Sequence, residues 1–102
     1  MRVGVPREIK PDEYRVGLTP TAVREYVTHG HEVIVEQGAG EGAGYPDALY
    51  TRAGAKIVPD AEAVFAGAEM IVKVKEPQAV ERKMLRPGQI LYTYLHLAPD
   101  PE

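Results

Sequence analysis

Short β-branched runs alternate with helix signals along this chain, and the links between them are only a few residues long. The runs are Arg2–Val5, His31–Glu36, Ala55–Val58, Glu69–Lys75 and Gln89–Leu97. Between the first two, Thr19-Pro20 supplies an N-cap and a first-turn proline, and Gly30 supplies a stop. Further helices are expected over Pro46–Ala53, from Asp60 to Gly67, and over Gln78–Leu85 before Arg86-Pro87-Gly88. Strands that alternate with helices predict a parallel sheet with crossover helices. The expected fold class is therefore α/β, a Rossmann-like (flavodoxin-like) sheet of about five strands. At 102 residues there is room for one small domain.

Composition narrows the function classes. The net charge is −3 and the basic residues are scattered, whereas nucleic-acid binders concentrate them in a dense stripe. No apolar run approaches the ~20 residues of a membrane span. A soluble, cytoplasmic protein is expected, with neither nucleic acid nor membrane as partner. The chain has no Cys, so thiolate catalysis and cysteine metal sites are excluded. His29 and His31 flank a helix stop with no third ligand nearby, and no metal is expected there. Nine prolines and the lack of Asn lean weakly towards a thermophile.

Candidate site residues gather at strand ends. In open α/β sheets, ligands bind outside the carboxyl ends of the strands. Lys73 and Lys75 alternate on one face of the fourth run. A buried strand rarely carries two such lysines unless the sheet is ending, so one of them leaves it, and Lys75 is the better placed. Tyr92, Tyr94 and His96 share a face of the fifth run, with Tyr92 read as packing. His96 titrates near neutral pH and reads either as a functional group or as a hydrogen-bonded structural histidine. Arg15 is either a guanidinium fork for a carboxylate or a solvated loop residue. Glu8, Asp12 and Glu13 around the same loop read as solvated charge.

Gly38-Ala39-Gly40-Glu41-Gly42-Ala43 matches G-x-G-x-x-A, and Asp60 follows about twenty residues later. In a dinucleotide fingerprint, however, the third small residue lies inside the helix. Here Gly44-Tyr45-Pro46 delays the helix, and a plain turn-forming loop is the expectation.

VGVPREIKPDEYRVGLTP, GAGEGAGY, KVKEP and QILYTYLHLA occur in that order. Together they resemble the N-terminal region of the bacterial alanine dehydrogenases, over essentially the whole chain. The resemblance implies that residues 1–102 are the N-terminal part of a substrate domain, incomplete by itself, and that a separate NAD-binding domain lies outside this chain. It implies L-alanine and pyruvate as substrates, NAD as cofactor, and reversible oxidative deamination as the reaction. It implies carboxylate binding by Arg15, contact of Lys75 with substrate oxygens, a pocket-lining Tyr94, and proton transfer at His96. No cofactor-binding residue is expected among these 102. A homo-oligomer, hexameric by family habit, is implied as well, and the chain alone is expected to be inactive and to self-associate through uncovered apolar surface. Two relatives share the fold, the transhydrogenase alpha subunit and the saccharopine dehydrogenases, and TYLHLA favours alanine dehydrogenase over both. The competing reading is a non-enzymatic module that binds a small carboxylate or assembles with other chains.

Overall fold

The computed structural model describes residues 1–9 and 13–93. One sheet holds five parallel strands: β1 (Arg2–Val5), β2 (Glu32–Glu36), β3 (Lys56–Val58), β4 (Met70–Lys73) and β5 (Ile90–Thr93). Their order is β3-β2-β1-β4-β5, which among doubly wound orders is the Rossmann one. The chain winds outwards from β1 to β3, then crosses back to lay β4 and β5 on the other side of β1. The crossovers are α1 (Pro20–Thr28), α2 (Asp47–Ala53), α3 (Ala61–Gly67) and α4 (Ala79–Arg82).

Period-2 alternation gives the inner strands β1, β2 and β4 two buried faces. Val3, Val5, Val33, Val35 and Val72 pack with Val23 of α1 and with Tyr50 and Ala53 of α2. Ile34 and Ile71 face the other way, against Val64 and Phe65 of α3 and Ala68 just beyond it. A Cβ at Gly4 would lie 2.7 Å from the Ala68 Cβ and 2.8 Å from Val64 Cγ1. The missing side chain is what lets α3 lie directly on β1.

Local signals fix the helix ends. Thr19 accepts the Ala22 amide from the N-cap of α1, with Pro20 as the first helical residue. Asp60 accepts the Ala63 amide at the start of α3. At α4, Gln78 and Glu81 form a reciprocal capping box.

Two elements are shorter than the sequence suggests. The helix expected over Gln78–Leu85 is α-helical only over Ala79–Arg82. Beyond it, the Met84 and Leu85 amides bond to the carbonyls of Glu81 and Arg82, three residues back, a tightened 3₁₀-type exit ahead of Pro87. The strand expected to reach Lys75 stops at Lys73. The next two amides, of Val74 and Lys75, turn to the Glu8 carboxylate instead of a neighbouring strand. The outer part of the fifth run, with Tyr94 and His96, lies outside the described residues.

Candidate functional site

The winding reverses between β1 and β4, so their carboxyl ends open a crevice. Glu8, just past β1, joins the two exits. One of its oxygens accepts the Val74 N–H at 2.8 Å; the other accepts the Lys73 ammonium at 3.0 Å and, more weakly, the Lys75 N–H at 3.4 Å. Lys73 also lies 3.1 Å from Glu81 Oε2. That second contact is an ion pair by distance only, since its alignment is poor and Oε2 accepts no hydrogen bond. The other Glu81 oxygen takes the Gln78 amide at 2.8 Å. The side chains of Glu8, Lys73 and Glu81 are 1–2% exposed. Such a cluster survives burial because its charges pair, although one Glu81 oxygen is left without a hydrogen-bond donor. Glu8 is therefore not the solvated charge expected from sequence, and Lys73 is occupied within the fold.

Lys75 lies one step further out, beyond the end of β4 and partly exposed, with its Nζ 3.6 Å from Glu13 Oε1. Arg15 closes on the same carboxylate. Its Nε and Nη2 donate to the two Glu13 oxygens at 2.9 Å each, and its backbone N–H adds a third bond at 2.8 Å. Glu13 is thus a second correction: its side chain is 3% exposed, whereas that of Arg15 is 65% exposed. Asp12, the third acid of that group, lies outside the described residues. Hydrogen bonds from Arg15 hold the Glu13 carboxyl down to about 2 against the opposing effect of burial. Arg15 in turn is pushed above its ordinary value by the same contact.

The loop carrying Arg15 is seated by Gly17, where a Cβ would stand 2.4 Å from the Val72 carbonyl oxygen. No residue with a side chain fits there unless the loop lifts off β4. Across from the Arg15 loop, over a cavity that Lys75 does not line, stands the glycine loop. Arg7, Glu8, Glu13, Tyr14 and Arg15 on one side, and Gly38, Ala39, Glu41 and Gly42 on the other, enclose about 330 Å³.

The glycine loop does not fit a dinucleotide. A single 3₁₀ turn spans Glu41–Ala43, and α2 starts only at Asp47. The Gly38 amide is taken by the Asp47 carboxylate at 2.9 Å, an acid that already places a negative charge in the first turn of this helix. A Cβ at Gly40 would stand 2.6 Å from the Tyr50 ring. These glycines have packing reasons of their own, and no step of a reaction is routed through a nucleotide held here.

The histidines of the helix stop are engaged locally: His29 Nδ1 pairs with the Glu25 carbonyl at 2.8 Å, and His31 Nδ1 lies 3.4 Å from the N-terminal amine. Among the described residues, no three or more His, Cys, Asp or Glu side chains form a metal-holding group. Among the same residues, no helix is long and apolar enough to cross a membrane. Tyr92 is half exposed on β5. The structure thus brings Arg15 and Lys75 together, while Tyr94 and His96 fall outside what it describes.

The family model for "Alanine dehydrogenase/PNT, N-terminal domain" matches residues 4–102. The chain belongs to the alanine dehydrogenase/PNT family. It is 52% identical over 102 residues to an alanine dehydrogenase of Methanococcus maripaludis, covering all of this chain and 27% of that protein. It is 54% identical over 100 residues to the alanine dehydrogenase of Halomonas elongata, covering 98% and 27%. A solved L-alanine dehydrogenase superposes with a TM-score of 0.87 at 47% identity, over 96% of this chain and 27% of that one. A solved transhydrogenase from Sinorhizobium meliloti gives 0.85 at 33% identity, over 91% and 26%. The chain spans about a quarter of the length of these family members.

Sequence reasoning missed the two acids that organise the site. A signal for Glu13 was present, because an acid two residues before an arginine in a tight loop can reach its guanidinium. Glu8 had no local signal, since its partners lie more than sixty residues away.

Proposed function

We propose that this chain is the substrate-binding part of an NAD-dependent L-alanine dehydrogenase, which converts L-alanine, NAD and water to pyruvate, ammonia and NADH. The observation that carries this reading is the convergence of Arg15 and Lys75 at the switch point of the sheet. Two cations that share one carboxylate, with Arg15 lining a partly enclosed cavity beside them, suit a small carboxylate. Membership of the family supplies the reaction class.

In this reading Arg15 takes the substrate carboxylate through a fork of parallel hydrogen bonds. Lys75, a compact charge, holds the remaining oxygens and fixes the reacting carbon in place, an effect of orientation. Tyr94 lines the pocket. His96 exchanges the proton at the substrate oxygen or nitrogen, with a side chain that works near neutral pH. NAD is assigned to a second domain outside these 102 residues, in keeping with the poor fit of the glycine loop. The 102-residue chain by itself is inactive, and the working protein is a soluble, cytoplasmic homo-oligomer, hexameric by analogy.

The test is alanine-dependent NAD reduction by the full-length gene product, wild type against His96→Ala. Loss of at least about a hundredfold in kcat is expected for removal of an acid–base group; undiminished turnover in the variant would sink the role given to His96. A second reading, the corresponding domain of a transhydrogenase, draws on the 0.85 TM-score to that enzyme. Nicotinamide exchange without any alanine dependence would favour it.

A further inference from the structure

We propose that Glu13 is a standing member of the carboxylate site and sets its preference for singly over doubly charged acids. The proposal rests on the reading of Arg15 and Lys75 as carboxylate ligands. A guanidinium has two edges, each able to take a carboxylate. Glu13 occupies only the edge formed by Nε and Nη2. The outer edge, with Nη1, is not used by Glu13, and the side chain is 65% exposed and lines the crevice. A substrate can therefore dock end-on without evicting Glu13, whose own side chain is nearly fully enclosed.

The charge count follows from the same contacts. Arg15 and Lys75 share the Glu13 carboxylate, and a single positive charge is left for the ligand. Behind them Glu8 and Glu81 share the single cation Lys73, so that buried cluster supplies no further positive charge and carries one negative charge in excess. Arg7 and Glu41 on the rim contribute one charge of each sign. One carboxylate neutralises the Arg15–Lys75–Glu13 group, while a second would meet the excess negative charge of the Glu8–Lys73–Glu81 cluster behind it.

Oxamate and oxalate are near-isosteres that differ by one negative charge, so their inhibition constants against pyruvate reduction isolate the charge effect. They are to be measured with the full-length enzyme as wild type, Glu13→Gln, Glu13→Ala and Glu13→Asp. In the two neutral variants the oxalate-to-oxamate ratio of inhibition constants is expected to fall about tenfold, and less at high salt, as a screened charge at this range implies. Glu13→Asp retains the charge and the wild-type ratio. A ratio that stays put in both neutral variants, or moves towards oxamate, overturns the proposal. If neither acid inhibits the wild type, the carboxylate reading of Arg15 and Lys75 fails, and this inference falls with it. An enzyme inhibited by oxamate with an unmoved ratio defeats only the role of Glu13.

Discussion

The Lys73 ammonium and the Glu8 carboxylate meet at 3.0 Å in the interior, 65 residues apart in sequence. Their pairing joins the exits of β1 and β4, and Glu8 caps the Val74 amide where β4 leaves the sheet. Lys73→Met leaves two buried carboxylates, Glu8 and Glu81, facing each other without a cation. A loss of about 3–5 kcal/mol is expected, the usual cost of breaking a buried ion pair from one side. Glu8→Gln leaves Lys73 paired with Glu81 and should cost less. Urea denaturation followed by circular dichroism checks the order of the two variants.

Gly17 determines how closely the Arg15 loop approaches β4. Gly17→Ala drives a Cβ into the Val72 carbonyl, a backbone atom that cannot swing aside. The expected cost is about 1–3 kcal/mol of stability, typical of overpacking. In the full-length enzyme the KM for pyruvate should rise more than kcat falls, because the displaced loop carries a binding residue. Steady-state kinetics at two temperatures, one far below the unfolding transition, separates this effect from simple unfolding.

Removing the second cation should act on binding first. Lys75→Ala in the full-length enzyme is expected to raise the KM for pyruvate at least tenfold, from the loss of a charge-assisted contact. Methylammonium added to that variant should restore part of the affinity. A KM equal to that of the wild type would remove Lys75 from the site.

Glu13 makes stability depend on acid. Its carboxyl titrates at about 2 in the folded chain, against an ordinary value of 4.5, chiefly because of the Arg15 hydrogen bonds. A depressed carboxyl stabilises the fold above its unfolded value. That contribution fades as pH falls from about 4.5 towards 2. Glu36 works in the opposite sense, since burial raises its carboxyl and favours the protonated folded form. Glu13→Gln should therefore flatten the acid limb of a stability–pH curve, while Glu36→Gln should steepen it. Denaturation midpoints at half-unit pH steps give both slopes.

The strand β5 leaves Ile90, Leu91 and Tyr92 between about a third and half exposed. Exposed apolar runs of this kind mark contact surfaces. The 102-residue chain is expected to associate at high concentration, and Leu91→Lys to reduce it. Light scattering that reports a monomer for the wild type across the millimolar range would count against this.

Local chemistry made much of this molecule legible from sequence alone. The alternation of β-branched runs with capped helices dictated a parallel α/β sheet, because Thr19, Asp60 and the strand runs act within a few residues of themselves. It also marked the strand end beyond which Lys75 stands and the loop that carries Arg15. Tertiary structure alone decided that β1 and β4 are neighbours, that Glu8 spans them to Lys73, and that β4 stops short because Glu8 takes its last amides. It likewise turned Glu13 from a surface acid into the shared partner of two cations. The reason is the range of the interactions. Caps and strand periodicity are written within one or two turns of chain, whereas the Glu8–Lys73 and Glu13–Lys75 pairs exist only once a crossover of some sixty residues has brought two strand ends together.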